Sequence, residues 1–229
     1  MNKHILLSIF VFILCIINFG FATPLDQNFN FWSRFNINGS FKDNEQLKYF
    51  FETETRFRSN ASTFRASLNR IGLGYEIDPT LTLWSGYTAI PSISSSSGDL
   101  LYGQDIFQQI NWRLYSSDLV QFSTRIRLEQ RKISNNRNWA NRLRTNLSAI
   151  IPIKDSHVNY YIYDELFFNL DHPAWVSDRT FSQNRIFLGF RFDLKSKTRL
   201  AVGYLNQLEL DSSRNSMNHT LMLALQIST

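Results

Sequence analysis

Between Gln121 and Leu147 the chain reads QFSTRIRLEQRKISNNRNWANRLRTNL, two alternating stretches on either side of a polar loop. From Val120 the even positions carry Val120, Phe122, Thr124, Ile126 and Leu128, and the odd ones Gln121, Ser123, Arg125, Arg127, Glu129 and Arg131. After the loop, Trp139, Leu143, Leu147 and Ala149 share one face and Arg142, Arg144, Asn146 and Ser148 the other. A sustained period of two is a strand with unlike sides and is incompatible with a helix. In a soluble sheet the apolar side packs on a core and the arginines meet water. In a membrane barrel the apolar side meets lipid and the arginines line the lumen. The alternation alone does not choose between them, so the rest of the chain decides.

Residues 1–22 combine a basic start (Lys3, His4), an apolar run from Ile5 to Ile17 and small residues before Thr23. This predicts a secretory signal peptide cut after Ala22, leaving residues 23–229 as one barrel domain. The single cysteine, Cys15, lies inside that run, so no disulfide framework or thiol chemistry is expected of the mature chain. Beyond it no apolar stretch approaches the roughly 18 residues of a membrane helix. Mean hydropathy is -0.24, yet aromatics make up 15% of the chain, as lipid-facing strands with one polar side would give. The net charge of +5 is spread over alternate strand positions with no basic tail, which argues against a nucleic-acid partner.

The alternation recurs along the whole chain. Phe29 to Phe41 and Gln46 to Arg58 each set an apolar face against a polar or charged one. Ser62 to Ile77 changes phase midway, and a β-bulge near Asn69–Arg70 would restore it. Thr80 to Ile90, Gln104 to Tyr115, the central pair, His157 to Leu170, Phe181 to Leu194, Thr198 to Leu210 and Met217 to Ile227 complete the set, with Asp164 on an apolar side marking a local irregularity. Most segments exceed the five or so residues of ordinary strands and match the roughly nine to eleven of tilted membrane strands. Short turns (Asp78-Pro79, Ser116-Ser117, Pro152 to Ser156, Lys195 to Lys197) alternate with longer loops (Pro91 to Gly103, Lys132 to Arg137, Asp171 to Thr180, Asp211 to Ser216), as in outer-membrane barrels.

The expected fold is therefore all-β, a transmembrane antiparallel up-and-down barrel of 10 to 12 strands in the bacterial outer membrane, with a soluble periplasmic sandwich as the competing architecture. Eleven segments can be counted, whereas bacterial single-chain barrels have even strand numbers, so ten or twelve is expected. Tyr49, Tyr75, Tyr87, Trp112, Trp139, Tyr160 and Tyr204 are assigned outward, toward interfacial girdles. Gly72, Gly74, Gly86 and Gly203 are assigned inward, making room for large neighbours.

RIRLEQR (Arg125 to Arg131), NRLR (Asn141 to Arg144), YDELFFN (Tyr163 to Asn169), QNRIFLGF (Gln183 to Phe190) and GYLNQ (Gly203 to Gln207), in this order, resemble the Gram-negative outer-membrane barrel family known as domain of unknown function 2490, over about Phe29 to Thr229. The resemblance implies an outer-membrane barrel and no particular activity. Outer-membrane barrels generally end in an aromatic residue that the insertion machinery meets, whereas this chain ends in Thr229.

No zinc, phosphate-loop, dinucleotide or nucleophile-elbow signature is present, and no cofactor, metal site or catalytic residue is expected. The candidate site is the inward set Arg125, Arg127, Glu129, Arg131, Arg142, Arg144, Glu165, Arg185 and Gln207. It reads either as a narrow anion-preferring channel, because arginine rings favour anions, or as a plugged structural barrel cross-braced by Glu129 and Glu165. Expected partners are outer-membrane lipid and lipopolysaccharide, the barrel assembly machinery and small anionic solutes. The alternative is an outer-membrane lipid-modifying hydrolase built on His219 with Ser212, Ser213 or Ser216.

Overall fold

The computed structural model describes residues 26–94, 97–134, 136–195, 197–211 and 215–229. The expected signal peptide with Cys15, and Ser212 and Ser213, lie outside these. Each alternating stretch forms a strand: β1 (Asp26–Phe41), β2 (Asn44–Arg58), β3 (Thr63–Asp78), β4 (Leu81–Ile93), β5 (Leu100–Ser116), β6 (Gln121–Ile133), β7 (Ala140–Pro152), β8 (Val158–Asn169), β9 (Phe181–Lys195), β10 (Thr198–Glu209) and β11 (Ser216–Ser228). Consecutive strands pair in order and the sheet closes on itself. Linkers of two to five residues at one end alternate with linkers of four to eleven at the other, so the barrel has a short-turn end and a long-loop end.

Eleven up-and-down strands leave the first and last running in the same direction. Closure is therefore parallel, with β1 and β11 in continuous register from Asp26↔Ser216 to Asn38↔Ser228, while all other neighbours are antiparallel. This corrects the expectation of ten or twelve strands, which presumed antiparallel closure. The seam is clasped at the short-turn end by Thr229, whose backbone N–H donates to Asn38 O at 2.8 Å and whose hydroxyl lies 2.7 Å from that of Tyr49.

Three local expectations also change. Register is unbroken past Asn69 and Arg70, and the irregularity between β2 and β3 falls where Arg56 and Phe57 meet Ala66 and Phe64. Ala66 and Leu68 are consequently buried, beside Arg56 and Glu54 across the ladder. The phase change read in the sequence is thus a bulge at Arg65, just after Phe64, followed by a short apolar patch on the inner wall. Asp164 likewise sits in unbroken register between Leu147 and Ile186. It stays on the outer parity, buried, and accepts the side-chain amide of Asn184. The stretch read as a loop from Pro91 to Gly103 is largely strand, with Pro91 opposite Tyr102.

The outer parity carries exposed apolar residues, Leu73 at 65%, Ile71 at 58% and Leu188 at 50% among them. Six of the seven aromatics assigned outward are exposed, and Tyr49 is half-buried. Inside, paired glycines hold aromatic rings against the wall. A Cβ on Gly203 would lie 2.6 Å from the Phe187 ring and one on Gly74 2.6 Å from Trp84, so these rings lie flat over backbone that has no side chain to displace them.

Because Ser33 and Leu223 face each other across the seam, the double variant Ser33→Cys/Leu223→Cys is expected to oxidise to an intrachain disulfide that changes gel mobility after denaturation. Ser33→Cys with Ala201→Cys should not. Absence of the cross-link in folded protein would contradict parallel closure.

Candidate functional site in the lumen

An eleven-strand wall encloses more space than short side chains can fill, and the inner parity supplies long ones. Glu129 on β6 is 1% exposed. It accepts Arg142 Nε at 2.8 Å and Arg144 Nη1 at 2.6 Å, both from β7. The other side of Arg144 donates to Glu165 on β8 at 2.8 Å, and Glu165 also takes Arg125 at 2.6 Å and lies 3.6 Å from Arg185 of β9. Two carboxylates and four arginines thus tie β6, β7, β8 and β9 into one network. On the other side of the seam Glu54 takes Arg34 from β1, with Arg56 Nε at 2.8 Å, and Glu52 takes Arg70 of β3. Arg131 sits 3.6 Å from Asp105.

Aromatic rings occupy what the ion pairs leave. Trp32 packs with Tyr163, Phe187, Leu205 and Met222 in a buried apolar cluster. Arg56 lies over the Trp32 ring at 4.0 Å and Arg185 at 4.9 Å, joining the two halves of the network. Phe167 lies under Arg185 at 4.5 Å and Arg144 at 4.7 Å, and Phe107 under Arg127 at 4.4 Å. Such stacks contribute roughly 0.5–2 kcal/mol each, the more the drier the site.

All nine residues of the candidate set lie on the inner parity. Arg127, Glu129, Arg144, Glu165, Arg185 and Gln207 are buried, and Arg125, Arg131 and Arg142 are partly so. The structure joins seven of them through Glu129 and Glu165, while Arg131 pairs separately with Asp105. Gln207 makes no ion pair; it lies directly across the ladder from Arg185 and donates to Glu209 at 2.8 Å. Sequence reasoning left out Arg34, Glu52, Glu54, Arg56, Arg70 and Asp105, although the same parity rule on β1, β2, β3 and β5 marks them.

The two ends of the lumen differ. At the long-loop end, segment 170–180 turns back onto the neighbouring strand ends and reaches Arg131 of the inner wall. Asn169 donates to the carbonyls of Arg179 at 3.0 Å and Ser177 at 3.3 Å, and Trp175 Nε1 donates to Asn138 O at 3.1 Å with its ring 5.5 Å from Arg131. At the short-turn end a cavity of about 710 Å³ opens, running from Thr80, Arg113 and Ser228 down to Arg127, Tyr163, Phe187 and Met222. On the outer wall His219 Nδ1 is 2.6 Å from the Tyr204 hydroxyl, whereas on the inner parity Ser216 Oγ donates to Glu209 at 3.3 Å. These two members of the hydrolase alternative therefore have different partners.

Replacing one member of a buried pair leaves its partners charged and unpaired, at a cost of about 3–5 kcal/mol. Glu129→Gln is expected to lower stability by that order, read as an earlier unfolding midpoint of the detergent-folded barrel by gel mobility. The outward neighbour Gln130→Ala should change it by less than about 0.5 kcal/mol. Equal effects would mean that the Glu129 network does not brace the barrel.

An uncharacterised protein of Methylorubrum extorquens is 29% identical over 217 residues, covering 93% of each chain. Among solved structures, the NanC porin aligns at 12% identity over 81% of this chain and 90% of its own, with a TM-score of 0.49. LpxR from Salmonella typhimurium aligns at 8% identity over 79% and 83%, with a TM-score of 0.46. These distant alignments add nothing to the barrel observed directly. The family described as a protein of unknown function, DUF2490, matches residues 29–218, and the chain belongs to that family.

Proposed function

We propose that the protein is an outer-membrane barrel whose lumen is shut by its own side chains, a plugged barrel in place of an open pore. The observation that carries this reading is the combination of a wet-side chemistry indoors and an apolar exterior. Glu54, Glu129, Phe107, Phe167, Phe187 and Gln207 are all at most 1% exposed inside the bore, whereas Ile71, Leu73, Leu188 and Leu221 stand exposed outside it. An apolar belt of this kind around a closed sheet suits acyl chains and would aggregate in water.

On this reading the belt meets outer-membrane lipid and lipopolysaccharide, and the barrel assembly machinery inserts the chain. With short turns on the periplasmic side, the open cavity faces the periplasm and segment 170–180 lies toward the cell surface. No catalytic step is part of the proposal. The engagement of Ser216 by Glu209 and of His219 by Tyr204 supports that choice.

The test is conductance in a planar bilayer. Folded wild-type protein is expected to give no discrete steps. The double variant Arg144→Ala/Phe167→Ala, which removes the bridge between Glu129 and Glu165 and the ring beneath it, should give steps with anion preference. Discrete steps from the wild type would overturn the plugged reading in favour of the channel.

A further inference from the structure

The ion pairs inside the bore do not balance. The arginines that take part outnumber the carboxylates, and Glu129 and Glu165 are each shared among several guanidinium groups. Arginine stays protonated in proteins, so the lumen holds a fixed excess of positive charge. Charge of this kind in a low-dielectric space is costly unless something of opposite sign approaches it.

The excess is most localised at Arg127. Its Nε donates to Gln109 Oε1 at 2.6 Å, one face rests on Phe107, and the carboxylate within 4 Å of it among the described residues is Glu129, at 3.8 Å and beyond hydrogen-bond length. The residue is 4% exposed, and the space it borders is the floor of the short-turn cavity. Arg125, two positions earlier on the same strand face, borders that cavity too. One of its terminal nitrogens is held by Glu165, and its side chain is 29% exposed. Residues i and i+2 of a strand lie roughly 6.5–7 Å apart on one face, which suits two anionic groups of a single small molecule. Gln109, which holds Arg127, passes its amide to Asn111 at 2.9 Å, so the wall beside the pair offers aligned amide groups.

We propose that the short-turn cavity is a blind binding site for a small soluble anion bearing two or more carboxylate or phosphate groups, with Arg127 as the floor anchor and Arg125 as the second contact. The site rests on the closed-lumen reading for its being blind, since a plugged bore makes the cavity a pocket with one entrance. The solute enters past Arg113 and Ser228 and leaves by the same route. Two guanidinium groups discriminate against monovalent anions, because a single charge satisfies only one of them.

The test is calorimetric titration of the folded barrel, in an uncharged detergent, with citrate and separately with pyrophosphate, chloride serving as the monovalent comparison. Saturable binding of a multivalent anion is expected. Arg127→Gln and Arg125→Gln should each weaken it at least about tenfold, the loss of a charge-assisted hydrogen bond. Arg179→Gln, in an exposed loop at the other end, should leave it unchanged. Gel mobility establishes folding for every variant, and two independent arginine variants guard against one failing to fold. Equal weakening by Arg179→Gln would mean diffuse attraction and overturn the site. No binding by a barrel that is also silent in the bilayer would remove the site and leave the plugged reading intact. Binding by a barrel that conducts would keep the site and remove the plug.

Discussion

The structure depends on carboxylates that each hold more than one arginine inside a ring of strands. A barrel whose apolar faces point outward cannot fill its bore by the usual hydrophobic core. What remains is to place charge indoors and satisfy it. Glu129 and Glu165 share Arg144, and Glu54 holds Arg34 and Arg56. Each acid collects donors from its own or neighbouring strands, so the charge network follows the wall through β1–β3 and again through β6–β9. Trp32, Phe107, Phe167 and Phe187 then occupy the space between guanidinium planes. They exclude water and strengthen the pairs they separate.

This arrangement makes the two ends unequal. Toward the long loops the network is dense and is covered by Trp175, which meets Arg131 and the linker carbonyl of Asn138. Toward the short turns the inner wall changes to Asn36, Asn38, Asn111, Asn146 and Ser148, polar side chains too short to meet in the middle, and the cavity opens there. The step from long to short inner residues along the strands opens this cavity, with basic groups left at its floor.

Much of this was legible in the sequence. A period of two has one meaning, and it gave eleven strands with their two faces. Parity also placed the inner arginines, because side-chain direction along a strand is a local property. The parallel seam was not legible, since nothing local in Phe29 to Phe41 says which strand will lie beside it, and a rule about even numbers outweighed the count. The bulge in β3 was expected about four residues too late because Ala66 and Leu68, apolar side chains on the inner wall, continue the even-position pattern begun by Phe64. The partner of each arginine depends on stagger between strands, which no single strand records. The fold of segment 170–180 rests on Asn169 meeting the carbonyls of Ser177 and Arg179, a contact with no sequence signature.

The assignment of faces underlies everything else, and it can be measured directly. A fluorescent probe on Leu188→Cys, outward and half exposed, and on the adjacent Phe187→Cys, inward and 1% exposed, would be compared in liposomes containing brominated lipid. The account predicts strong quenching at position 188 and little at 187. Quenching at 187 with none at 188 would put the arginines against the acyl chains and contradict it, and quenching at neither would mean that this wall does not lie in the bilayer.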